Sequence, residues 1–183
     1  MHLKEIGFKS VVIPESVTSI KMLAFYGNEL SHVVIPDSVT TIGMGAFYRN
    51  KLSSVVISKE INNIAKWSFK DNQLTSLIIP EGVTSIGFGA FENNQLESVS
   101  IAQTVTFIDW GAFQDNLLSE VELPPNLYKV EDFVFKSNLL ESIVIPESVT
   151  KIGTGAFLNN KIKSVIIPSK VERIDMEHLK TMN

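Results

Sequence analysis

Residues Val33 to Phe47 read VVIPDSVTTIGMGAF, and the meaning of this stretch lies in where it returns. Pro36 belongs to a column of Pro14, Pro36, Pro80, Pro124, Pro146 and Pro168, all separated by multiples of 22, with Ser58 and Ala102 filling its two gaps. Phe47 belongs to a second column, Phe25, Phe47, Phe69, Phe91, Phe113, Phe135 and Phe157, which ends on Leu179. An asparagine follows each phenylalanine three residues later, at Asn28, Asn50, Asn72, Asn94, Asn116, Asn138 and Asn160. Three columns sharing one period without an insertion mark a solenoid of about eight 22-residue coils, because each repeat of this length is one structural unit stacked on the next.

Within one coil the side chains sort themselves. His32 to Ile35 alternates and is β-branched, which predicts a short strand with Val33 and Ile35 inward. Pro36 ends it, since proline cannot donate to a sheet ladder. Val39 to Ile42 reads as a second short extended segment. Gly43 and Gly45 permit a tight bend, and Gly45 to Tyr48 is expected to form a single helical or 3₁₀ turn. Asn50 is placed to close that turn by bonding to backbone, so that equivalent asparagines would form a ladder. About seven apolar side chains per coil do not offset the entropy of ordering the coil alone, so stability must come from stacking. The phenylalanine column is then the spine of a continuous core.

The segments SVVIPESVTSI (Ser10 to Ile20), VVIPDSVTTIGMGAF and SIVIPESVTKIGTGAFLNN (Ser142 to Asn160) resemble the BspA-type bacterial leucine-rich repeats. The shared IPxSVTxIGxxAF pattern runs from about Phe8 to Ile174. The resemblance implies a right-handed leucine-rich-repeat solenoid with short parallel strands. It also implies a surface-exposed or secreted protein that adheres to host matrix proteins, other cells or other bacteria. The chain departs from the commoner family pattern in having a 22-residue coil with asparagine in the turn, where many members have 23 residues and a cysteine. It shows no cell-wall sorting motif, choline-binding repeat or surface-layer homology segment.

Composition narrows the function classes. The 183 residues are 44% hydrophobic and 20% charged with a formal net charge of −4, which fits a folded chain and disfavours a nucleic-acid partner. There are no cysteines, so disulfides, thiolate metal sites and cysteine nucleophiles are excluded. No apolar run approaches the ~20 residues of a membrane-spanning helix, and Met1 to Val17 does not read as a secretory signal. Residues 1–183 are expected to form one solenoid, with imperfect caps at 1–7 and 175–183, the latter including a short closing helix over Met176 to Met182. His2, His32 and His178 fall in different coils, which prevents a histidine-centred catalytic set. No enzyme activity, cofactor or metal site is expected.

A binding function would therefore use columns that point outward. One is Ser10, His32, Ser54, Ser76, Ser98, Glu120, Ser142 and Ser164; the other is Val12, Val34, Val56, Ile78, Ser100, Glu122, Val144 and Ile166. The second forms an aliphatic strip interrupted by an acidic break at Glu120 and Glu122, with Glu131 and Asp132 one segment further along. An exposed apolar strip marks an interaction site, although valine and isoleucine also simply suit a sheet surface. A column of Thr18, Thr40, Thr84, Thr106 and Thr150 is interrupted by Asn62, Tyr128 and Glu172. Tyr26, Tyr48, Phe107 and Trp110 are expected to be exposed aromatic contacts. Two functions follow: an adhesion-type module binding a protein ligand through the strand face, or a structural module pairing with itself end to end or face to face. An intracellular interaction scaffold is a weaker third.

Overall fold

The computed structural model describes residues 6–175. Twelve short strands follow in chain order: β1 (Ser19–Ile20), β2 (His32–Val34), β3 (Thr41–Ile42), β4 (Ser54–Val56), β5 (Asn63–Ile64), β6 (Ser76–Ile79), β7 (Ser85–Ile86), β8 (Ser98–Ile101), β9 (Phe107–Ile108), β10 (Lys129–Val130), β11 (Lys151–Ile152) and β12 (Arg173–Ile174). All pairings are parallel and join residues 22 apart, as in His32↔Ser54, Ser76↔Ser98, Ser85↔Phe107 and Lys129↔Lys151. The sequence period is thus the structural period. Residues 8–161 make seven complete turns and residues 162–175 begin an eighth, so the chain is a parallel-strand solenoid of the leucine-rich-repeat kind.

Each turn has two strand positions. The first carries β2–β4 and β6–β8, with an isolated bridge Val144↔Ile166. The second carries β1–β3, β5–β7–β9 and β10–β11–β12. Alternation sets the faces: Val33 and Ile35 are buried while His32 and Val34 are exposed, because successive side chains of a strand point to opposite sides. The proline column tolerates Ser58 because its buried hydroxyl donates to the Val39 carbonyl at 2.8 Å.

Two columns bind turn to turn inside the core. The phenylalanine rings from Phe25 to Phe157 stack with centroids 5.2 to 6.0 Å apart and planes within 2 to 11°. Beside them runs the asparagine ladder. The Asn72 Oδ1 accepts from the Leu52 N–H at 3.0 Å, and its Nδ2 donates to the Phe69 carbonyl of its own turn at 3.1 Å and to the Phe47 carbonyl of the turn before at 3.0 Å. Asn50, Asn94, Asn116, Asn138 and Asn160 repeat this set. One primary amide therefore satisfies a buried donor and two buried acceptors, as buried polar backbone requires.

The turn after the second strand is not the helical or 3₁₀ turn that the sequence suggests, and no helix occurs among the described residues. Hydrogen bonding alternates there: Ala46 and Tyr48 donate within the coil, to Gly43 and Gly45, while Gly45, Phe47 and Arg49 donate to Lys66, Ser68 and Lys70 of the next coil. A helix needs its N–H groups to bond consecutively along one chain. Two left-handed residues enforce the alternation, as at Gly45 (φ 61) and Arg49 (φ 56). The first of these columns includes Leu23, Trp67 and Phe133, each with φ 56, and each is followed one turn later by glycine. A Cβ at Gly45, Gly89 or Gly155 would lie 2.8, 2.9 or 2.6 Å from the side chain of Leu23, Trp67 or Phe133 respectively, so a large residue in this column requires glycine above it. The expected caps lie outside the described residues, except for Ile6, Gly7 and Asp175.

Replacing Asn72 by alanine orphans the buried Leu52 N–H and removes one donor from each of two phenylalanine carbonyls, a loss of roughly 3 kcal/mol. Asn160→Ala, on the last and partly exposed rung, is expected to cost about half of that or less. Urea unfolding of the two variants measures the difference; equal, small losses would show that the ladder does not hold the turns together.

Candidate functional site

The outward column of the first strand is an open surface. Val12 is 91% exposed, Val34 50%, Val56 53%, Ile78 72%, Val144 82% and Ile166 86%, whereas the inward neighbours Val33, Ile35, Leu77 and Ile79 are buried. Parallel pairing sets Val34 beside Val56, Ile78 beside Ser100, and Val144 beside Ile166. His32 lies on the same face and shares a 2.7 Å hydrogen bond with the Ser54 hydroxyl. The aliphatic residues named from the sequence therefore share a column with exposed side chains.

The acidic break stands where the strand ladder stops. Residues 120–123 form no strand, and their backbone groups make no hydrogen bonds among the described residues. A recess of about 450 Å³ opens there, lined by Ser98 to Ile101, Glu120 to Glu122 and Ser142 to Val144. Glu120 and Glu122 are exposed at its wall. Glu131 and Asp132 do not belong to it. Glu131 is paired with Lys129, and Asp132 accepts from the Thr154 N–H at 2.9 Å. The sequence grouped all four acids by charge, but the latter two serve the turn.

Other candidates are settled by their neighbours. The threonine column is exposed, yet Thr40, Thr84, Thr106 and Thr150 each donate to a carbonyl of the preceding coil at 3.1 to 3.4 Å. Their hydroxyls are part of the coil-to-coil bonding. Tyr26, Tyr48, Phe107 and Trp110 are half-buried, not exposed. Tyr26 packs on Tyr48 and Trp110 on Phe88, because equivalent side chains of successive coils lie within stacking distance, and Phe107 packs on Tyr128 of the neighbouring column in the next coil. Among the described residues the exposed aromatics are Phe8 and Tyr128, and the place of Tyr128 in the outward threonine column was the available signal.

A band of aromatics was not anticipated. Phe88 and Trp110 stack at 4.8 Å, with Trp67 and Phe133 meeting them edge-on at 5.7 and 5.3 Å. Lys66 lies 4.0 Å from the Trp67 ring centroid and 4.4 Å from that of Phe88, and Lys136 covers Phe133 at 5.3 Å. These rings come from two adjacent columns, so no single column revealed them. The lysines close the band by cation–π contact. It is a packed surface, not an open one.

Charge elsewhere is laid out along the stack. Lys51 bonds Glu29 at 2.9 Å and Lys59 bonds Asp37 at 3.1 Å, each across one coil. These lysines hold both carboxyl groups below their ordinary values, chiefly by side-chain hydrogen bonding. Among the described residues no group of three or more His, Asp or Glu is placed to hold a metal ion. No helix among them is long and apolar enough to cross a membrane.

The family model described as BspA type leucine rich repeat region matches in six copies, over residues 3–118 and 67–182. No curated protein sequence matches the chain. A leucine-rich repeat protein from Eubacterium ventriosum is similar in structure, with a TM-score of 0.62 at 21% identity over 86% of this chain and 47% of that one. A leucine rich cell surface protein from Faecalibacterium prausnitzii has a TM-score of 0.46 at 22% identity, over 85% of this chain and 66% of that one. The pneumococcal vaccine antigen PcpA has a TM-score of 0.44 at 17% identity, over 88% and 64%. The Eubacterium structure supports the solenoid fold. The chain spans less than two thirds of the length of each of these proteins.

Val34 and Val56 are half exposed and make no core contact that a longer side chain would displace. The double variant Val34→Glu, Val56→Glu is expected to unfold within about 1 kcal/mol of the parent, as surface substitutions do. Thermal and urea unfolding followed by circular dichroism check this, and a loss of several kcal/mol would place these side chains in the interior.

Proposed function

Since the chain belongs to the BspA-type leucine-rich repeat family, we propose that it is a non-enzymatic protein-binding module, acting at the cell surface or after secretion, whose open strand face meets a macromolecular ligand. Repeat families of this kind mediate protein–protein interaction, and in a solenoid the outward columns are free to vary while the inward ones are fixed by packing. The observation that carries the reading is the aliphatic strip. Four consecutive turns present Val12, Val34, Val56 and Ile78, each at least half exposed, in a protein whose inward columns are almost fully covered. Aliphatic residues that face water turn after turn cost solubility, and contiguous apolar surface of this kind marks sites of association.

The test is interferometry of the chain against immobilised extracellular-matrix proteins, with the chain itself in the panel. Saturable binding to a matrix protein, weakened at least about tenfold (~1.4 kcal/mol) by Val34→Glu, Val56→Glu, is the expected result. Binding that the double variant leaves unchanged would move the site off this face. Binding only to itself would replace the adhesion reading with self-assembly.

A further inference from the structure

Along the solenoid axis the strand face presents an aliphatic strip, then an acidic recess, and beyond it Val144 and Ile166. Val12, Val34, Val56 and Ile78 come first, one per turn. The same column then continues with Ser100 and Glu122, and Glu120 stands beside Glu122 at the recess of about 450 Å³. Neither carboxylate has an ion-pair partner among the described residues. The serines that share the recess, Ser98, Ser100 and Ser142, bring no positive charge. An occupant that spans the strip and the recess must therefore offer apolar groups over four turns and a cation over the sixth, because an unpaired carboxylate covered by a neutral partner loses its hydration without return.

The spacing of the strip selects the form of that occupant. Paired parallel strands such as those of Val34 and Val56 lie ~4.8 Å apart, and the 22-residue coil repeat carries Val12 and Ile78 on by one coil each, so the strip offers one aliphatic side chain at about that interval. An α-helix laid along the solenoid axis repeats its face every ~5.4 Å. The mismatch is about 0.6 Å per turn and about 2 Å over the four turns, within the reach of side-chain rotamers. An extended chain in the same direction repeats its face every ~6.7 Å. It slips by about 2 Å at each turn and is out of register after two.

We infer that the face receives an amphipathic helix of a partner protein, with aliphatic residues at i, i+4, i+7 and i+11 on the Val12–Ile78 strip and Lys or Arg two helical turns further on, over Glu120 and Glu122. The inference rests on the strand-face binding reading and adds the class of partner. A second copy of this chain does not supply that occupant. Its described residues hold no helix; a parallel face-to-face pair with apolar side chains matched brings the glutamates of both copies together, and an antiparallel pair leaves both sets of glutamates without a cation.

Three synthetic peptides of about 20 residues, ~30 Å when helical, test this against the full chain by fluorescence anisotropy. One has the apolar stripe and a lysine-bearing end, one the same stripe with glutamates at that end, and one the lysine peptide with prolines that prevent a helix. The lysine peptide is expected to bind at least about tenfold more tightly than either of the others, and more weakly as salt rises from about 50 to about 300 mM. Glu120→Gln, Glu122→Gln should lower its affinity about tenfold, and Val34→Glu, Val56→Glu should abolish binding. Equal binding of the two charge forms, or no effect of the glutamine variant, overturns the cationic end; equal binding of the proline peptide overturns the helix. If no peptide binds while the face still captures a matrix protein, this inference fails and the module reading stands; if neither binds, both fail.

Discussion

The structure depends on what one primary amide does at each turn. The Asn72 side chain closes its own turn through Phe69, reaches the turn before through Phe47 and caps the Leu52 N–H. Each phenylalanine carbonyl from Phe25 to Phe135 is in turn shared by two asparagines, as Phe47 is by Asn50 and Asn72. The bend backbone would otherwise bury donors and acceptors without partners. Glutamine is a methylene too long for this geometry and aspartate lacks the donors, so the column has one residue type. The rings stack alongside at nearly constant spacing, because the amides hold every turn at the same distance from its neighbours.

That constraint explains the rest of the inward architecture. An insertion in any turn would move its asparagine away from the carbonyls above and below, which accounts for an unbroken 22-residue period. Alternate N–H groups leave the turn for the next coil, so the backbone must take left-handed conformations twice per turn. Glycine, asparagine and aspartate adopt these at low cost. Leu23, Trp67 and Phe133 occupy the same conformation, and their side chains fill the space that the following glycine leaves empty. A cost in one residue's backbone is thereby offset by packing between two turns.

Most of this was legible because it repeats. Columns of proline, phenylalanine and asparagine give the period, and the period gives the inward and outward faces: Val34 and Ile78 are open where alternation places them. The ladder at Asn50 was also legible, since a polar residue in a buried column must have a backbone partner. What was not legible lies between turns. Gly45 to Tyr48 has the composition of a helical turn, and only the destination of each N–H, to Gly43 or to Lys66, shows that it is not one. Arg49 carries no sign of a left-handed backbone, and the Trp67–Phe88–Trp110–Phe133 band crosses two columns. Tyr26 and Trp110 were misplaced for the same reason: their cover comes from the same position one turn away.

A repeat makes a surface before it makes a site. If all the turns carried valine at the Val34 position, the face would be a uniform aliphatic stripe, able to associate with apolar surfaces but unable to fix where along its length a partner begins. Ser100, Glu120 and Glu122 end that degeneracy. Their charge also works against two such faces closing in parallel on each other, which the apolar strip alone would permit. The inward columns cannot supply this information, because the ladder and the stacked rings demand the same residues at every turn. Recognition in this chain therefore depends on the outward positions that break the pattern, and the sixth turn breaks it most: the strand ladder lapses, a recess opens and two unpaired carboxylates face solvent.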